Sequence, residues 1–265
     1  MKRKIILSGV LAVLFSSFVV AKENIQDLFK DYKAIIYTIN IRSFGSVDTN
    51  NNGIIEPEVG DSRGTFLNAK ERLKELKVQG VNTVYVLPIT PTGKLKALGT
   101  AGSLYALNSF SEIDDNLDVK TNELTLYEEA KEFTKEAHKL GLNVIVDLPS
   151  CGSYDLSLKK PSWFILDEKQ NSITPADWTD VRLFKIYNKD KSLNKETLDN
   201  FKSFVDMTQE LGFDGIRADV AAIKPYAFWK KLIDYARSKN PEFLFLAEAS
   251  PQWDNPAPKG VSHYS

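Results

Sequence analysis

The stretch Gly212-Phe-Asp-Gly-Ile-Arg-Ala-Asp219 decides the fold of this chain. Apolar residues recur at helical spacing before it, and Gly212 supplies the left-handed residue at which such helices end. The apolar run that follows is typical of a buried parallel strand. Arg217 and Asp219 stand two residues apart, so their side chains face the same side of that strand. The stretch therefore predicts a helix, a buried strand over 213–218 and a polar pair at the strand's end.

The same helix–glycine–strand pattern occurs twice upstream, with helices that end at Gly80 and Gly141. Besides 213–218, the predicted strands are 34–41, 81–87, 142–146 and 243–247. Alternating strands and helices indicate an α/β fold, either an open sheet or a barrel. An eight-stranded barrel typically takes about 250 residues. The pattern leaves two alternatives: an open five-stranded sheet, or a barrel that is truncated after about the fifth strand.

Composition and the first residues limit the functional classes. The chain has 34 basic and 35 acidic residues without a basic patch, so a nucleic-acid partner is not expected. Residues 1–21 combine a basic start, an apolar run and a small-residue end, which favours a cleaved signal peptide over a stable membrane anchor. We therefore expect a secreted or periplasmic domain over 22–265. Its single cysteine, Cys151, excludes an intramolecular disulfide.

Carboxylates stand at the ends of three predicted strands: Asp147, Asp219 and Glu248. The carboxyl ends of barrel strands line the active-site mouth, although a single acid there often only caps the next helix. A retaining glycosidase needs two carboxyl groups about 5–5.5 Å apart, and neighbouring strands lie about 4.8 Å apart. Asp219 and Glu248 could therefore act as such a pair, and Arg217 beside Asp219 is expected to favour its ionised form.

Four segments resemble, in order and spacing, the motifs of the α-amylase family, glycoside hydrolase family 13. They are Ile36-Tyr-Thr-Ile-Asn-Ile-Arg-Ser-Phe44, Leu142-Asn-Val-Ile-Val-Asp147, the opening stretch and Phe245-Leu-Ala-Glu248. The resemblance runs from about residue 34 to the end and favours the barrel over the open sheet. It implies a (β/α)8 TIM-type barrel, truncated after about the fifth strand. A short domain-B-like insert is expected after strand three, at about 149–194.

The resemblance also implies roles for single residues. Asp219 matches the nucleophile and Glu248 matches the general acid/base of the family. Arg217, Asp147 and Tyr105 match substrate-binding positions, and Tyr105 falls in Gly102-Ser-Leu-Tyr105, where the family often has a tyrosine that stacks on the −1 sugar. The expected partner is an oligo- or polysaccharide.

The loop after the first strand, Asp48-Thr-Asn50-Asn-Asn52-Gly53-Ile54-Ile-Glu56, has oxygen-bearing side chains at alternate positions. It resembles the start of an EF-hand loop and, more closely, the calcium loop of oligo-1,6-glucosidase-like members of the family. The resemblance implies Ca2+ held by Asp48, Asn50, Asn52, Ile54 and Glu56. The alternative is an Asn/Gly-rich turn that binds no metal.

Several positions depart from the family pattern. Cys151 stands where the family has a calcium-holding asparagine, and Gly152 stands where it has a histidine that contacts the −1 sugar. Ala222-Ile223 replaces a Lys-His pair on the acceptor side. None of these roles is carried over. The family's third carboxylate, on strand seven, finds no counterpart, so we expect weak or absent activity.

Three hypotheses follow. The first is a glycoside hydrolase that acts on α-glucans or α-glucosides with retention. The second is a non-catalytic carbohydrate-binding or scaffolding barrel derived from the same family, which the replaced Asn-His pair favours. The third is an unrelated barrel enzyme whose acids coincide with the motifs, which four ordered motifs make the weakest of the three.

Overall fold

The structure, a computed structural model, describes residues 22–99, 102–120, 123–176 and 178–249. The predicted signal peptide, 1–21, lies outside these ranges. Among the described residues, every helix is too short or too polar to pass through a lipid bilayer.

Seven strands occur in the described ranges. They are β1 (Ile36–Ile39), β2 (Thr83–Val86), β3 (Asn143–Leu148), β4 (Cys151–Ser153), β5 (Val181–Leu183), β6 (Gly215–Ala218) and β7 (Leu244–Ala247). Five of them form one parallel sheet in the order β1-β2-β3-β6-β7, and β4 pairs with β5 in a separate antiparallel ladder. All five predicted strands are confirmed, with bounds that differ by up to two residues. Successive parallel neighbours are the order that a barrel wall requires.

Eight α-helices surround or connect these strands in the described ranges. They are α1 (Ile25–Lys30), α2 (Ile41–Phe44), α3 (Phe66–Glu71), α4 (Leu73–Val78), α5 (Leu126–Lys139), α6 (Tyr154–Lys159), α7 (Lys195–Glu210) and α8 (Tyr226–Lys239). Helix α5 begins with a capping box in which Thr125 and Glu128 satisfy each other's backbone N–H groups. Gly141 and Gly212 follow α5 and α7 at φ 70° and 86°, as the helix–glycine–strand pattern predicts.

The helical segment before Gly80 is divided at Arg72 into α3 and α4. Leu73 and Leu76 of α4 are buried, whereas Val78 at its end is 88% exposed. The apolar face of α4 therefore ends at Leu76.

The two faces of the parallel sheet pack against different partners. Alternate strand residues, among them Val84, Val144, Val146, Ile216 and Phe245, belong to the main core with helices α3, α5, α7 and α8. The residues between them belong to a second cluster inside the barrel, formed by Ile25, Phe29, Tyr85, Ile145, Leu244 and Leu246. This alternation follows from the two-residue period of a strand. It aims every second residue at the barrel interior.

Helix α1 closes the amino-terminal end of the barrel interior. Its buried Ile25 packs with Ile145 of β3 and Leu244 of β7. Asn24 caps this helix by accepting hydrogen bonds from the N–H groups of Gln26 and Asp27. The opposite end of the interior, where the strands terminate, stays available for polar side chains.

The segment 149–194 that was expected as an insert contains β4, α6 and β5. Gly152 of β4 lies opposite Arg182 of β5. A Cβ atom on Gly152 would come within 2.6 Å of two ring carbons of Phe164 and within 2.8 Å of Phe184. These two rings stack with their centroids 4.8 Å apart. The space that a histidine would need at residue 152 is therefore filled by aromatic side chains.

We predict that Gly152→Ala lowers the free energy of unfolding by roughly 1–3 kcal/mol, because the added methyl group overpacks the Phe164–Phe184 stack. Chemical denaturation of the two proteins measures this loss. The change Phe164→Leu, which removes the ring atoms nearest to residue 152, should recover part of it when combined with Gly152→Ala. Full additivity of the two changes would contradict this packing.

Candidate active site

Four charged side chains meet where β3, β6 and β7 end. Asp147 lies opposite Arg217 in the β3–β6 ladder, and Asp219 and Glu248 directly follow β6 and β7. Asp147 is fully buried and Asp219 is 9% exposed. The alternation of the strands places Arg217 and Asp147 on the barrel-interior face together with Tyr85. The sequence-predicted carboxylates and arginine are thus brought together in one cluster.

The guanidinium of Arg217 joins the three carboxylates. Its Nη1 donates to both oxygens of Asp147 at 3.0 Å and to Oδ1 of Asp219 at 3.1 Å. Its Nη2 lies 2.7 Å from Oε1 of Glu248. Asp219 and Glu248 therefore bind the two terminal nitrogens of one planar guanidinium, which holds the two carboxylates next to each other.

Two tyrosines complete the cluster on the Asp147 side. The hydroxyl of Tyr105 donates to Oδ2 of Asp147 at 2.9 Å, and the hydroxyl of Tyr85 donates to the same oxygen. Burial, followed by the Asp147 charge, raises the pKa of both tyrosines, so both remain donors at physiological pH. Tyr105 was predicted from its motif. Tyr85 was not, although its position on the interior face of β2 is the signal that could have found it.

Arg217 acts on the pKa of Asp219 in the predicted direction, but other effects outweigh it. Burial, followed by the charge of Asp147, raises the pKa of Asp219 to about 6, although Arg217 acts to lower it. Burial also raises the pKa of Asp147, against the opposing effects of Arg217 and the tyrosines. One guanidinium shared among three carboxylates does not offset the burial of the two aspartates.

The backbone around Asp219 holds its carboxylate and links it to Glu248. The N–H of Ser150 donates to Oδ2 of Asp219 at 3.3 Å. The next residue, Val220, is left-handed at φ 38° and ψ 55°, which is strained for a β-branched residue. In this conformation its N–H donates to Oε2 of Glu248 at 2.8 Å. One peptide unit therefore connects the two predicted catalytic residues.

A buried lysine that sequence reasoning missed lies behind the cluster. Lys224 is 4% exposed, and its Nζ donates to the carbonyl oxygen of Ser150 at 2.8 Å. Burial lowers the pKa of Lys224 to about 8, partly offset by Cys151 and Asp219. Lys224 follows the Ala222-Ile223 pair, so a cation is present near the departure from the family pattern but is directed into the core.

The predicted calcium loop closes on itself through side-chain oxygens. Asp48 accepts the N–H groups of Asn52 and Gly53, and Asn52 accepts that of Ile54 at 2.7 Å. Oε2 of Glu56 accepts the amides of Asn50 and Asn52 at 3.2 and 2.6 Å.

Asp61, which was not among the predicted calcium ligands, stabilises the base of this loop. It accepts hydrogen bonds from the hydroxyl and N–H of Thr49 and from the N–H of Glu56. These bonds lower the pKa of Asp61.

The chemistry of the loop fits a hard cation in part. Its donors are oxygens throughout, as Ca2+ requires, but only Asp48 and Glu56 bring a charge. No group of three or more His, Cys, Asp or Glu side chains in the described ranges is arranged to hold a metal ion. The loop would therefore rely on the amide oxygens of Asn50 and Asn52 and on the carbonyl of Ile54.

Curated relatives share sequence with most of this chain. The α-1,4-glucan:maltose-1-phosphate maltosyltransferase of Bifidobacterium animalis subsp. lactis is 30% identical over 198 residues, which cover 71% of this chain and 27% of that protein. The enzyme of the same name from Mycolicibacterium smegmatis is 27% identical over 229 residues, 80% of this chain and 31% of its own length. The chain thus spans less than a third of these relatives. No protein-family model matches it.

Solved structures share its fold. An α-amylase from Lactobacillus plantarum superposes with a TM-score of 0.65 at 24% identity, over 88% of this chain and 49% of its own. A maltogenic α-amylase from Thermotoga neapolitana superposes with a TM-score of 0.62 at 29% identity, over 83% of this chain and 47% of its own. The parallel sheet therefore corresponds to part of a barrel wall and not to an open sheet.

We predict that Asp219→Asn stabilises the protein above pH 6. The pKa of Asp219 rises from 3.8 to about 6 on folding, so ionised Asp219 costs the folded state stability once the pH exceeds this window. The variant should gain roughly 1–3 kcal/mol in the free energy of unfolding at pH 8, and the gain should vanish near pH 4. Denaturant unfolding at both pH values measures it. The exposed control Asp234→Asn should change little, and a loss of stability at pH 8 in Asp219→Asn would contradict the prediction.

Proposed function

This chain carries the motifs and the fold of the N-terminal part of an α-amylase-type catalytic barrel (glycoside hydrolase family 13), and on this premise we propose that it acts on α-glucans or α-glucosides with retention. The observation that carries the proposal is the joint attachment of Asp219 and Glu248 to one guanidinium. Two carboxylates held side by side at strand ends supply the nucleophile and the general acid/base of a double displacement.

In the first step, the carboxylate of Asp219 attacks the anomeric carbon and the glycosidic bond breaks. The proton of Glu248 passes to the leaving oxygen. Water, deprotonated by Glu248, then releases the sugar from Asp219. Glu248 thus regains in the second step the proton that it gave up in the first.

Asp219 has a pKa of about 6 in the cluster without substrate. Its carboxyl group must therefore lose its proton before it attacks the anomeric carbon. Arg217 stabilises the ionised carboxylate, because its Nη1 already faces Oδ1 of Asp219. Activity should therefore rise as the pH increases through about 6.

Substrate binding is assigned to the Asp147 side of the cluster. The rings of Tyr105 and Tyr85 are held by hydrogen bonds to the buried carboxylate of Asp147. A tyrosine fixed in this way presents a rigid face on which an apolar sugar face can pack. The two curated relatives compared above are named maltosyltransferases, so transfer to a sugar acceptor in place of water is the second outcome that the same intermediate allows.

The 265 residues span about half of the solved α-amylases, and we expect slow turnover from them alone. A non-catalytic carbohydrate-binding barrel is the alternative that Cys151 and Gly152 favour, because the Asn-His pair of the family is replaced by a buried thiol and an aromatic stack. Trapping of the intermediate separates the two functions without requiring turnover.

We predict that a 2-deoxy-2-fluoro-α-glucosyl fluoride labels Asp219, since fluoride leaves as the carboxylate bonds to the anomeric carbon and the 2-fluorine slows release. Peptide mass spectrometry locates the adduct. Asp219→Asn should abolish the label, whereas the exposed control Asp234→Asn should retain it. A label on another residue would refute the assignment, and saccharide binding without any adduct would select the non-catalytic barrel.

We further propose that Asp48, Asn50, Asn52, Glu56 and the carbonyl of Ile54 bind Ca2+, and that the chain is exported, where millimolar calcium is available. A site with two carboxylates and several neutral oxygens is expected to bind Ca2+ weakly, with a dissociation constant on the order of 0.1–1 mM.

We predict that Ca2+ raises the unfolding temperature at millimolar concentration and that Mg2+ at equal ionic strength does so less, because the loop is irregular and Mg2+ demands octahedral geometry. Differential scanning calorimetry measures the shift. Asp48→Asn should remove it, while the exposed control Asp31→Asn should not. An equal response of Asp48→Asn and the unmodified protein would leave the loop as a turn that binds no metal.

A further inference from the structure

A pocket of about 360 Å³ lies between the 149–194 segment and Lys96, and none of the residues of the active-site cluster lines it. Its wall combines two cationic side chains, Lys96 and Arg182, with the ring of Tyr154. Hydroxyl and amide side chains also line it, namely Ser157, Gln170, Asn171, Ser172 and Thr174, together with the apolar Leu158, Pro161 and Leu166.

Arg182 is a buried cation without a carboxylate partner among the described residues. It is 2% exposed, and its Nη1 donates to the carbonyl oxygens of Thr179 and Val181 at 3.0 and 2.6 Å. Its Nε is buried and has no hydrogen-bond partner. The carboxylate of Asp180 is close in sequence, but it forms no ion pair with Arg182 and leaves its own Oδ2 without a partner. A buried charge of this kind is costly unless something compensates it.

Lys96 adds a second positive charge at the same place. Its Nζ lies 4.0 Å from the centroid of the Tyr154 ring, and the guanidinium carbon of Arg182 lies 4.7 Å from the same centroid. Lys96 is exposed and forms no ion pair within the described ranges. The ring attracts both cations, yet it neutralises neither. The two charges therefore share one aromatic ring, and neither forms an ion pair in the described ranges.

Neutral polar side chains surround the two cations. Ser157 donates to the carbonyl oxygen of Tyr154 at 2.8 Å, so its Oγ accepts from the Oγ of Ser172, 2.9 Å away. The amide of Asn171 donates to Asp167 at 3.2 Å. The hydroxyl of Thr174 and the amide of Gln170 are the neutral groups of the wall that can donate to a ligand.

We propose that this pocket binds a phosphate monoester, with Arg182 and Lys96 holding the phosphate group. A phosphate brings up to two negative charges and three acceptor oxygens, which match the two cations, the hydroxyl of Thr174 and the amide of Gln170. The planar guanidinium of Arg182 can donate to two phosphate oxygens, while Lys96 acts as a point charge. The volume also exceeds what free phosphate occupies, so it leaves room for the esterified group beside Tyr154.

The proposal does not depend on the proposed function, because binding is measured without turnover. Isothermal titration calorimetry at pH 7.5 and constant ionic strength uses three probes. They are inorganic phosphate, glycerol 2-phosphate and acetate, the last as a carboxylate control. We expect saturable binding of both phosphates and none of acetate. The monoester should bind at least as tightly as inorganic phosphate.

The discriminating variant is Lys96→Gln, which lies at the exposed rim and should leave the fold intact. It should weaken phosphate binding about tenfold, the loss expected for one charge-assisted hydrogen bond. The matched control is Lys189→Gln, an exposed lysine of the same segment that does not line the pocket, and it should change the affinity less than twofold. Arg182→Lys, if folded by circular dichroism, should weaken binding further.

Three results would overturn the proposal. They are the absence of saturable phosphate binding to the unmodified protein, equal binding of acetate and phosphate, and equal effects of Lys96→Gln and Lys189→Gln. Each of these can be obtained with the folded rim variants alone.

Discussion

The shared guanidinium of Arg217 is the interaction on which the site depends. This cation forms ion pairs with Asp147, Asp219 and Glu248. Burial and the neighbouring carboxylates shift its pKa in opposite directions. Burial disfavours its charge, but the carboxylates outweigh this effect and raise its pKa. Removal of the guanidinium would leave three acids in a confined space, with no other cation in direct contact among the described residues. Positive charge at this point is therefore a condition for holding three carboxylates so close together.

Most of the fold could be predicted because its signals are local. The helix–glycine–strand pattern and the two-residue period of strands depend on neighbouring residues only, and they located five strands to within two residues. The same period predicted that Arg217 and Asp219 share a face. Local signals could not decide between an open sheet and a barrel, because the periodicity of apolar residues is the same in both. Only the order of the four motifs distinguished the two folds.

The parts of the site that sequence did not predict arise from contacts between distant segments. Tyr85 and Ser150 reach Asp147 and Asp219 from other strands and loops, and Lys224 is defined by its burial rather than by any spacing. The pKa of Asp219 illustrates the same limit. An arginine two residues away predicts a lowered value, but the depth of burial and the second carboxylate, both set by tertiary structure, decide the outcome. In the sequence, Gly152 only appears as the replacement of a histidine. The structure gives the reason, because the stacked rings of Phe164 and Phe184 leave no room for a side chain at residue 152.

The packing of Ile25 against Leu244 has a consequence for biosynthesis. These residues stand near opposite ends of the described chain, so their contact closes a loop of more than two hundred residues. A ribosome delivers helix α1 long before β7, and contacts of such long range form slowly. Until β7 has emerged, Ile25, Phe29 and the inner faces of β2 and β3 lack the apolar contacts that β7 supplies. We therefore expect chaperones that shield apolar surface to bind the nascent chain before β7 is synthesised.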